Sequence, residues 1–515
     1  MLAPSKPRYA DKIKPAECIR ALIGRYPRKK TVVMCHGVFD IVHPGHLRHL
    51  RFAKDRADIL IVSVTADRHI RKGNIRPHVP AELRAENLAA FEMVDYVIVD
   101  DEPSPLKNIA LLQPDFFAKG FEYSRSGLAE RTKEERTILD GYGGEILFTP
   151  GDVVYSSSAL LDMSPPNLAV DTLLVTMRTE GITFDDLRKA LDAIAGTRVH
   201  VVGDTIVDTV THCAVIGGMT KTPTMSVKIE NVDRFVGGAG VVAKHLAAAG
   251  ASVSFSTVVG NDANGAFVVD DLTSHGITVL AEPDTTRPTT HKNAIEAGGY
   301  RLLKVDTVDN RPVSSRLIEA MDDDIRNSNA DAVVFCDFRH GIFNRDTIPV
   351  LQSAIPAGAF TAADSQVASR WGNILEFVGF DLITPNEREA RFALGDQDSV
   401  IRPLAARLFE QAQCKAMILK LGERGSLVYR GQNNGEADFH AVGAFADRVV
   451  DAVGTGDAML AYAMLVTRAT GSNLMGAILG SFAAAVACEH EGNIPVGADD
   501  VRGKIDAIEA QAHGS

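Results

Sequence analysis

Along the first third of the chain, short apolar runs rich in β-branched residues alternate with segments whose apolar positions recur at helical spacing. Residues 31–35, 58–64, 95–99, 115–119 and 145–149 read as strands, and residues 15–26, 47–54, 81–93, 105–112 and 128–139 read as helices. This alternation predicts βαβ units and a parallel sheet. A helical segment over 183–195 leads into a second α/β pattern that opens at 199–204. Between the two patterns, Met163-Ser-Pro-Pro-Asn-Leu-Ala169 has the prolines of a short, stiff linker. The expected organisation is one domain over 1–162, a linker over 163–182 and a second domain over 183–515.

Composition narrows the function classes. A chain of 515 residues exceeds one ordinary core, and 45% hydrophobic with 23% charged residues is the balance of a globular protein. A net charge of −12 argues against nucleic acid as the main partner, because phosphate backbones need a basic face. Six cysteines without paired spacing indicate neither a disulfide framework nor a zinc site, which fits a reducing cytoplasm. The N-terminus lacks the apolar stretch of a secretory signal. Residues 474–488, apolar and rich in Ala and Gly, are shorter than the roughly 20 residues of a membrane span and predict a buried core helix. No membrane partner is expected.

Candidate chemistry begins at His36-Gly-Val-Phe-Asp-Ile-Val-His-Pro-Gly-His46, where the first strand turns into a helix. Pro44 suits the first helical turn, whose open N–H groups favour an anion. His43 and His46 would face a triphosphate as cationic donors, stabilising charge on the phosphate being displaced. A metal pair or two surface histidines is the plainer alternative. Lys72 and Arg76 follow the second strand, Lys119-Gly120 ends another, and Tyr155-Ser156-Ser157-Ser158 opens a last short helix with hydroxyls and N–H groups.

Gly37-x-Phe39-Asp40-x-x-His43-x-Gly45-His46 resembles the signature of the cytidylyltransferase-like nucleotidyltransferases, and the likeness continues over residues 30–162. Within that superfamily it is most similar to the adenylyltransferase half of the bifunctional heptose-phosphate kinases and heptose-1-phosphate adenylyltransferases. The resemblance implies a Rossmann-like domain in which Gly37, Phe39, Asp40, Gly45, Lys72, Arg76 and Ser156, Ser157 and Ser158 bind the nucleotide. It implies catalytic roles for His43, His46 and Lys119. Where the heptose enzymes read Lys-Gly-Gly-Asp-Tyr, this chain has Lys119-Gly-Phe-Glu-Tyr123. No residue decides between ATP and CTP here.

The second half carries an ordered set. Asp204 ends a strand, Asp208 follows, and carboxylates there can accept from sugar hydroxyls. Gly237-Gly238 lets backbone approach a ligand closely. Asn386-x-x-Glu389, Gly422 and Gly425, and Asp451-Ala-Val-Gly454-Thr455-Gly456-Asp457 then follow. Gly454-Thr455-Gly456 at a helix start supplies N–H groups to a phosphoryl group in flight, and Asp457 can take the proton of an attacking hydroxyl. Plainer alternatives are a helix cap for Asp457, a capping box for Asn386 and Glu389, and a β-turn for Gly422 and Gly425.

From about residue 199 to 497 this set resembles the ribokinase-like sugar kinases. The resemblance implies Asp457 as catalytic base, Asn386 and Glu389 organising Mg²⁺, and nucleotide contacts at Gly422, Gly425, Gly454, Thr455 and Gly456. It implies sugar contacts at Asp204, Asp208, Gly237 and Gly238. Lys292 is a candidate for a second phosphate on the sugar, with a solvated basic face as the alternative. Gly240-Val-Val replaces the Asn usual after the glycine pair of heptose kinases, and Cys336-Asp-Phe-Arg-His-Gly341 replaces their Ser-Asp-Tyr-x-Lys-Gly. The kinase also comes second in the chain, the reverse of the familiar fusion.

The expectation is an α/β protein, a Rossmann-like nucleotidyltransferase domain followed by a ribokinase-like domain. It makes a nucleotide sugar from a sugar phosphate with ATP (or CTP in the first domain) and Mg²⁺, works in the cytoplasm and forms a homo-oligomer. Two other readings stand beside it. One is a CTP-dependent polyol-phosphate cytidylyltransferase fused to a separate sugar kinase; the other gives the kinase-like domain a non-catalytic sugar-sensing role.

Overall fold

Val32–Gly37 (β1) is the centre of the first sheet because its side chains from Val32 to Cys35 are buried on both faces. The computed structural model describes residues 8–42, 44–70, 77–120, 130–149, 169–217, 225–366, 374–433, 436–490 and 492–514, and the chain divides into two units, Met1–Leu168 and Ala169–Ser515. The strands Ile59–Thr65 (β2), Tyr96–Asp100 (β3), Phe116–Gly120 (β4) and Glu145–Thr149 (β5) join β1 in the order β3-β2-β1-β4-β5, all parallel. Alternate side chains point to opposite faces. Val33, Cys35, Leu60 and Val62 pack with Leu50 and Leu88 on one face, and Val32, Met34, Ile61 and Phe117 with Ile19 and Ile109 on the other. The chain runs outward from β1 to β3, then returns to place β4 beside β1. A crevice therefore opens at the carboxyl ends of β1 and β4, the usual ligand position in such sheets.

One buried cation ties the loops at that end. Arg84, in the helix Ala81–Ala89, is fully buried; its Nε donates to the Val79 carbonyl at 2.8 Å and Nη2 to the Thr65 carbonyl at 2.8 Å. Nη1 donates to the Val38 carbonyl, and Asp67 balances the charge. The loops after β1 and β2 thus share one clamp.

Among the described residues, the second unit holds two sheets. The larger runs, in spatial order, Thr278–Asp284, Ser252–Gly260, Arg198–Gly203, Ala332–Asp337, Phe360–Ser365, Leu382–Ile383, Met417–Lys420, Ser426–Asn433 and Glu436–Val442. It is parallel up to Met417–Lys420 and antiparallel beyond. The smaller sheet runs Tyr300–Thr307, His291–Ala297, Thr205–Gly217, Ser226–Gly238. The apolar stretch near 474–488 is the helix Asn473–Cys488, buried along nearly its whole length against Thr455–Thr470. No helix among the described residues is long and apolar enough to cross a membrane.

The linker expected over 163–182 is largely structured. Residues 163–168 lie outside the described residues, but Ala169–Thr179 is a helix of the second unit. Leu173 and Met177, one turn apart, are buried in its core. That apolar spacing outweighs the proline signal upstream.

Replacing Arg84 with Met leaves three carbonyls without their donor and is expected to cost the first unit about 3 kcal/mol. Amide exchange in β1 and β2 should then accelerate roughly 100-fold. Unchanged protection there would show that the clamp carries no stability.

Candidate active sites

In the first unit, His36 and Gly37 close β1 and Lys119 and Gly120 close β4, the two strands that flank the crevice. Gly45 and His46 lie in the first turn of the helix Pro44–Lys54. Phe39 has a left-handed backbone, φ 49°, and its buried ring lies 5.2 Å from that of His46. A side chain on Gly37 would press on the Phe39 ring. The structure therefore brings Gly37, Phe39, Gly45 and His46 together. His43, Lys72, Arg76, Ser156, Ser157 and Ser158 lie outside the described residues.

Two expected contacts are already engaged within the protein. Asp40 is buried, and its Oδ1 accepts from the backbone N–H groups of His78 and Val79 at 2.7 and 3.0 Å, so it fastens a loop. Lys119 pairs with Glu135 and donates to the Thr132 hydroxyl at 3.1 Å. The pair holds the lysine in place at the strand end, and a phosphate would have to compete with Glu135 for its charge. Sequence reading did not anticipate Glu135 or Thr132, which lie a helix away from Lys119.

His36 was quoted in the motif without a role. Its Nδ1 meets the Ser63 hydroxyl at 2.9 Å and its Nε2 the Thr65 hydroxyl at 3.2 Å, while Ser63 donates to Asp100 at 3.0 Å. Burial, then the Lys119 charge, pulls the His36 pKa down to about 4, so the ring is neutral at pH 7. Burial pushes Asp100 up. A polar relay from His36 through Ser63 to Asp100, spanning three strands, results.

In the second unit, Gly454 caps the helix Thr455–Thr470 with a left-handed φ of 79°. Gly456 lies against Lys420: a Cβ there would come 3.4 Å from Nζ. Lys420 ends Met417–Lys420 and donates to Asp364 at 3.0 Å, and Thr384 donates to the same carboxylate at 3.1 Å. Burial pulls the Lys420 pKa down, but Asp364 and Glu389 outweigh it and hold the lysine above its ordinary value. Asp457, one residue beyond Gly456, is pushed up to about 7 by burial and then by the Asp364 charge. A carboxylate poised near neutrality suits a general base.

Asn386 and Glu389 bond to each other. Glu389 accepts from the Asn386 backbone N–H at 2.7 Å and from Nδ2 at 2.6 Å, and Asn386 Oδ1 accepts from the Glu389 N–H at 2.9 Å. This is the capping box of the helix Glu387–Leu394. Among the described residues no cluster of three or more His, Cys, Asp or Glu side chains could hold a metal ion. The box still faces the charged centre: burial and the Asp364 charge push buried Glu389 up to about 7. Carboxylates crowded in this way fit a hard divalent cation held through water, which would relieve their repulsion.

Asp204 takes a different part from the expected sugar contact. It is buried, and Oδ2 accepts from the N–H groups of Phe338 and His340 at 3.0 and 3.1 Å, Oδ1 from Ile342 at 3.4 Å. With its oxygens given to backbone, it fixes the loop after Ala332–Asp337; burial and Asp337 push it up to about 7. Asp208 remains half-buried beside Gly237, where any Cβ would collide with its carboxylate. Gly238 has φ 62° and leaves no room for a side chain next to the Asp204 carbonyl. Lys292 is the register partner of Asp208 on the neighbouring strand, and Asp208 is near enough to raise Asp457. Asp208, Gly237, Lys292 and Asp457 thus converge. Gly422 and Gly425, φ 64° and 80°, form a tight turn in which Gly425 packs on the Val442 carbonyl. Asp364 was missed because nothing in its surroundings, a short strand among many, marks it in sequence.

These two sites belong to recognised classes. The pfkB family of carbohydrate kinases matches residues 197–498, more than half of the chain, and the cytidylyltransferase-like family matches residues 34–143. The chain is a member of the pfkB family with a cytidylyltransferase-like domain ahead of its kinase domain. Families of both kinds act with nucleoside triphosphates. Curated relatives of the nucleotidyltransferase part include the bifunctional protein HldE of Pelobacter propionicus, 35% identical over 139 residues, and that of Citrifermentans bemidjiense, 38% identical over 139 residues. Each match covers 26% of this chain and 28% of the relative, so the aligned stretch spans little more than a quarter of those proteins. Phosphofructokinase-2 from Escherichia coli in complex with potassium superposes with a TM-score of 0.50 at 17% identity, covering 61% of this chain and 99% of that one. That likeness shows the fold.

Because the folded pKa of Asp457 is raised, its contribution to stability is complete below the unfolded carboxylate range and is lost as pH rises through about 7. Asp457→Asn removes that loss. The variant should melt above the wild type at pH 8, with the gap narrowing toward pH 4; identical melting curves at pH 8 would contradict a strained carboxylate.

Proposed function

We propose that the protein is a bifunctional enzyme of nucleotide-sugar synthesis in the cytoplasm. The second unit phosphorylates the anomeric hydroxyl of heptose 7-phosphate with ATP, and the first transfers AMP from ATP to the resulting 1-phosphate, releasing pyrophosphate and giving ADP-heptose. The observation that carries the kinase step is Asp457, raised to about 7 beside the Gly454–Gly456 helix start and next to Lys420. The nucleotidyl step is supported by the likeness of the first unit to the HldE proteins.

In the kinase step the hydroxyl oxygen attacks the γ-phosphorus, its proton passes to Asp457 and ADP leaves. Open N–H groups at Gly454, Thr455 and Gly456, with Lys420, meet the charge spread over the transferring group. Asp208, Gly237 and Gly238 seat the sugar, and Lys292 takes its phosphate. Asn386 and Glu389 would hold Mg²⁺ through water, with Gly422 and Gly425 shaping the nucleotide edge; bound there, Mg²⁺ would neutralise phosphate charge. In the second step an oxygen of the 1-phosphate attacks the α-phosphorus and pyrophosphate leaves. Gly37, Phe39 and Gly45 shape the nucleotide pocket. His46, with His43 and Lys119, stabilises the leaving charge.

A homo-oligomer is part of this proposal. The strand Tyr300–Thr307 is exposed along its length and carries Tyr300, Leu303 and Val305, with Ile229 and Val232 exposed on the same sheet. A second copy of that sheet is the occupant such a surface fits, and light scattering of the wild type reads it directly.

With heptose 7-phosphate and ATP, mass spectrometry should detect ADP-heptose. Asp457→Asn should lower kinase turnover by roughly 1,000-fold or more while pyrophosphate release from ATP and heptose 1-phosphate persists, and His46→Ala should do the reverse. Pyrophosphate release with CTP alone, or kinase turnover that survives Asp457→Asn, would overturn the assignment.

A further inference from the structure

His340 is one of the residues at which the second half differs from the heptose-kinase pattern it resembles, and its surroundings are restrictive. The residue is 8% exposed. Its main chain is held on both sides: the N–H donates to Asp204 at 3.1 Å and the carbonyl accepts from Arg287 at 3.3 Å. Nδ1 lies 2.8 Å from Asn310 Oδ1 and donates to it. Nε2 is buried with no hydrogen-bond partner among the described residues. A buried polar atom left bare is costly and calls for a ligand.

Position identifies that ligand. Lys292 is near enough to act on the ring electrostatically, pairs in register with Asp208, and Asp208 acts on Asp457. His340 therefore stands at the sugar end of the kinase site: Asp204, which holds its N–H, also packs its carbonyl on Gly238 and accepts from the Ala239 N–H at 3.0 Å. Burial, then the Lys292 charge, lowers its pKa to about 4, so at neutral pH the ring carries one proton. That proton is on Nδ1, committed to Asn310. Nε2 presents a lone pair, which accepts from an O–H and repels a phosphate oxygen.

We propose that His340 Nε2 accepts a hydrogen bond from one hydroxyl of the sugar and sets which sugar the second unit takes, leaving the phosphate of the substrate to Lys292. This rests on the sugar-kinase reading above. A sugar lacking that hydroxyl would leave the nitrogen bare and forfeit the bond.

The test compares heptose 7-phosphate with its monodeoxy derivatives in the full-length wild type, His340→Ala and Asn310→Ala, read by kcat/KM for phosphate transfer and in parallel by calorimetric binding. The wild type should disfavour one monodeoxy compound by roughly 10- to 100-fold, and in His340→Ala that single ratio should collapse toward unity while the others hold. Asn310→Ala, which frees the ring but keeps it, should weaken the same ratio. A common loss on every sugar, or ratios unchanged in His340→Ala, would make the residue structural and overturn the proposal. A wild type that binds the sugars with the expected discrimination but transfers no phosphate sinks the kinase reading and keeps this one; no binding of any sugar phosphate sinks both.

Discussion

One ammonium group organises the charged centre of the kinase unit. Lys420 sits among Asp364, Glu389 and Asp457, and each carboxylate would be hard to tolerate without it. The compensation is partial, since both Glu389 and Asp457 are still pushed to about 7. That shortfall suits the roles proposed for it: a site that is to bind a cation and take up a proton needs negative charge held at a cost, and the fold supplies the cost by closing a sheet and two helix starts around it. The capping box at Asn386 and the glycine turn at Gly454 are helix beginnings brought to the same lysine, one through the bridge between Asn386 and Lys420 and one through the missing side chain of Gly456.

The nucleotidyltransferase unit reaches a related end with less charge. Its crevice is flanked by strand ends whose polar side chains are tied to each other: His36 to Ser63 and Thr65, Lys119 to Glu135, Asp40 to backbone. Binding of a triphosphate there would exchange internal partners for ligand, so affinity depends on how readily Glu135 yields Lys119. In both units, then, a residue named by motif is held by one that no motif names: Lys119 by Glu135, and the Lys420 that neighbours Asp457 by Asp364.

That division explains what could be read from sequence. The strands and helices were legible because apolar periodicity is local, and the ordered glycines and acids of both halves were legible because close backbone approach admits few residues. Arg84, Glu135 and Asp364 were not, since each matters through a partner brought near only by the sheet. Asp204 and Asp40 show the same limit from the other side: a carboxylate at a strand end looks alike whether it awaits a sugar or fastens a loop, and only the positions of Phe338, His340 and Val79 decide. The helix Ala169–Thr179 was overlooked because nearby prolines spoke louder than its apolar spacing.

The fastening of residues 338–342 by Asp204 has an evolutionary consequence. Because the main chain is anchored from below by a residue outside the loop, the side chain at 340 can be exchanged while the loop keeps its course; Arg339, paired with buried Asp337, cannot. If position 340 sets substrate preference as proposed, such a scaffold makes that preference a replaceable part, open to directed evolution at one position while the phosphate-transfer apparatus is inherited intact.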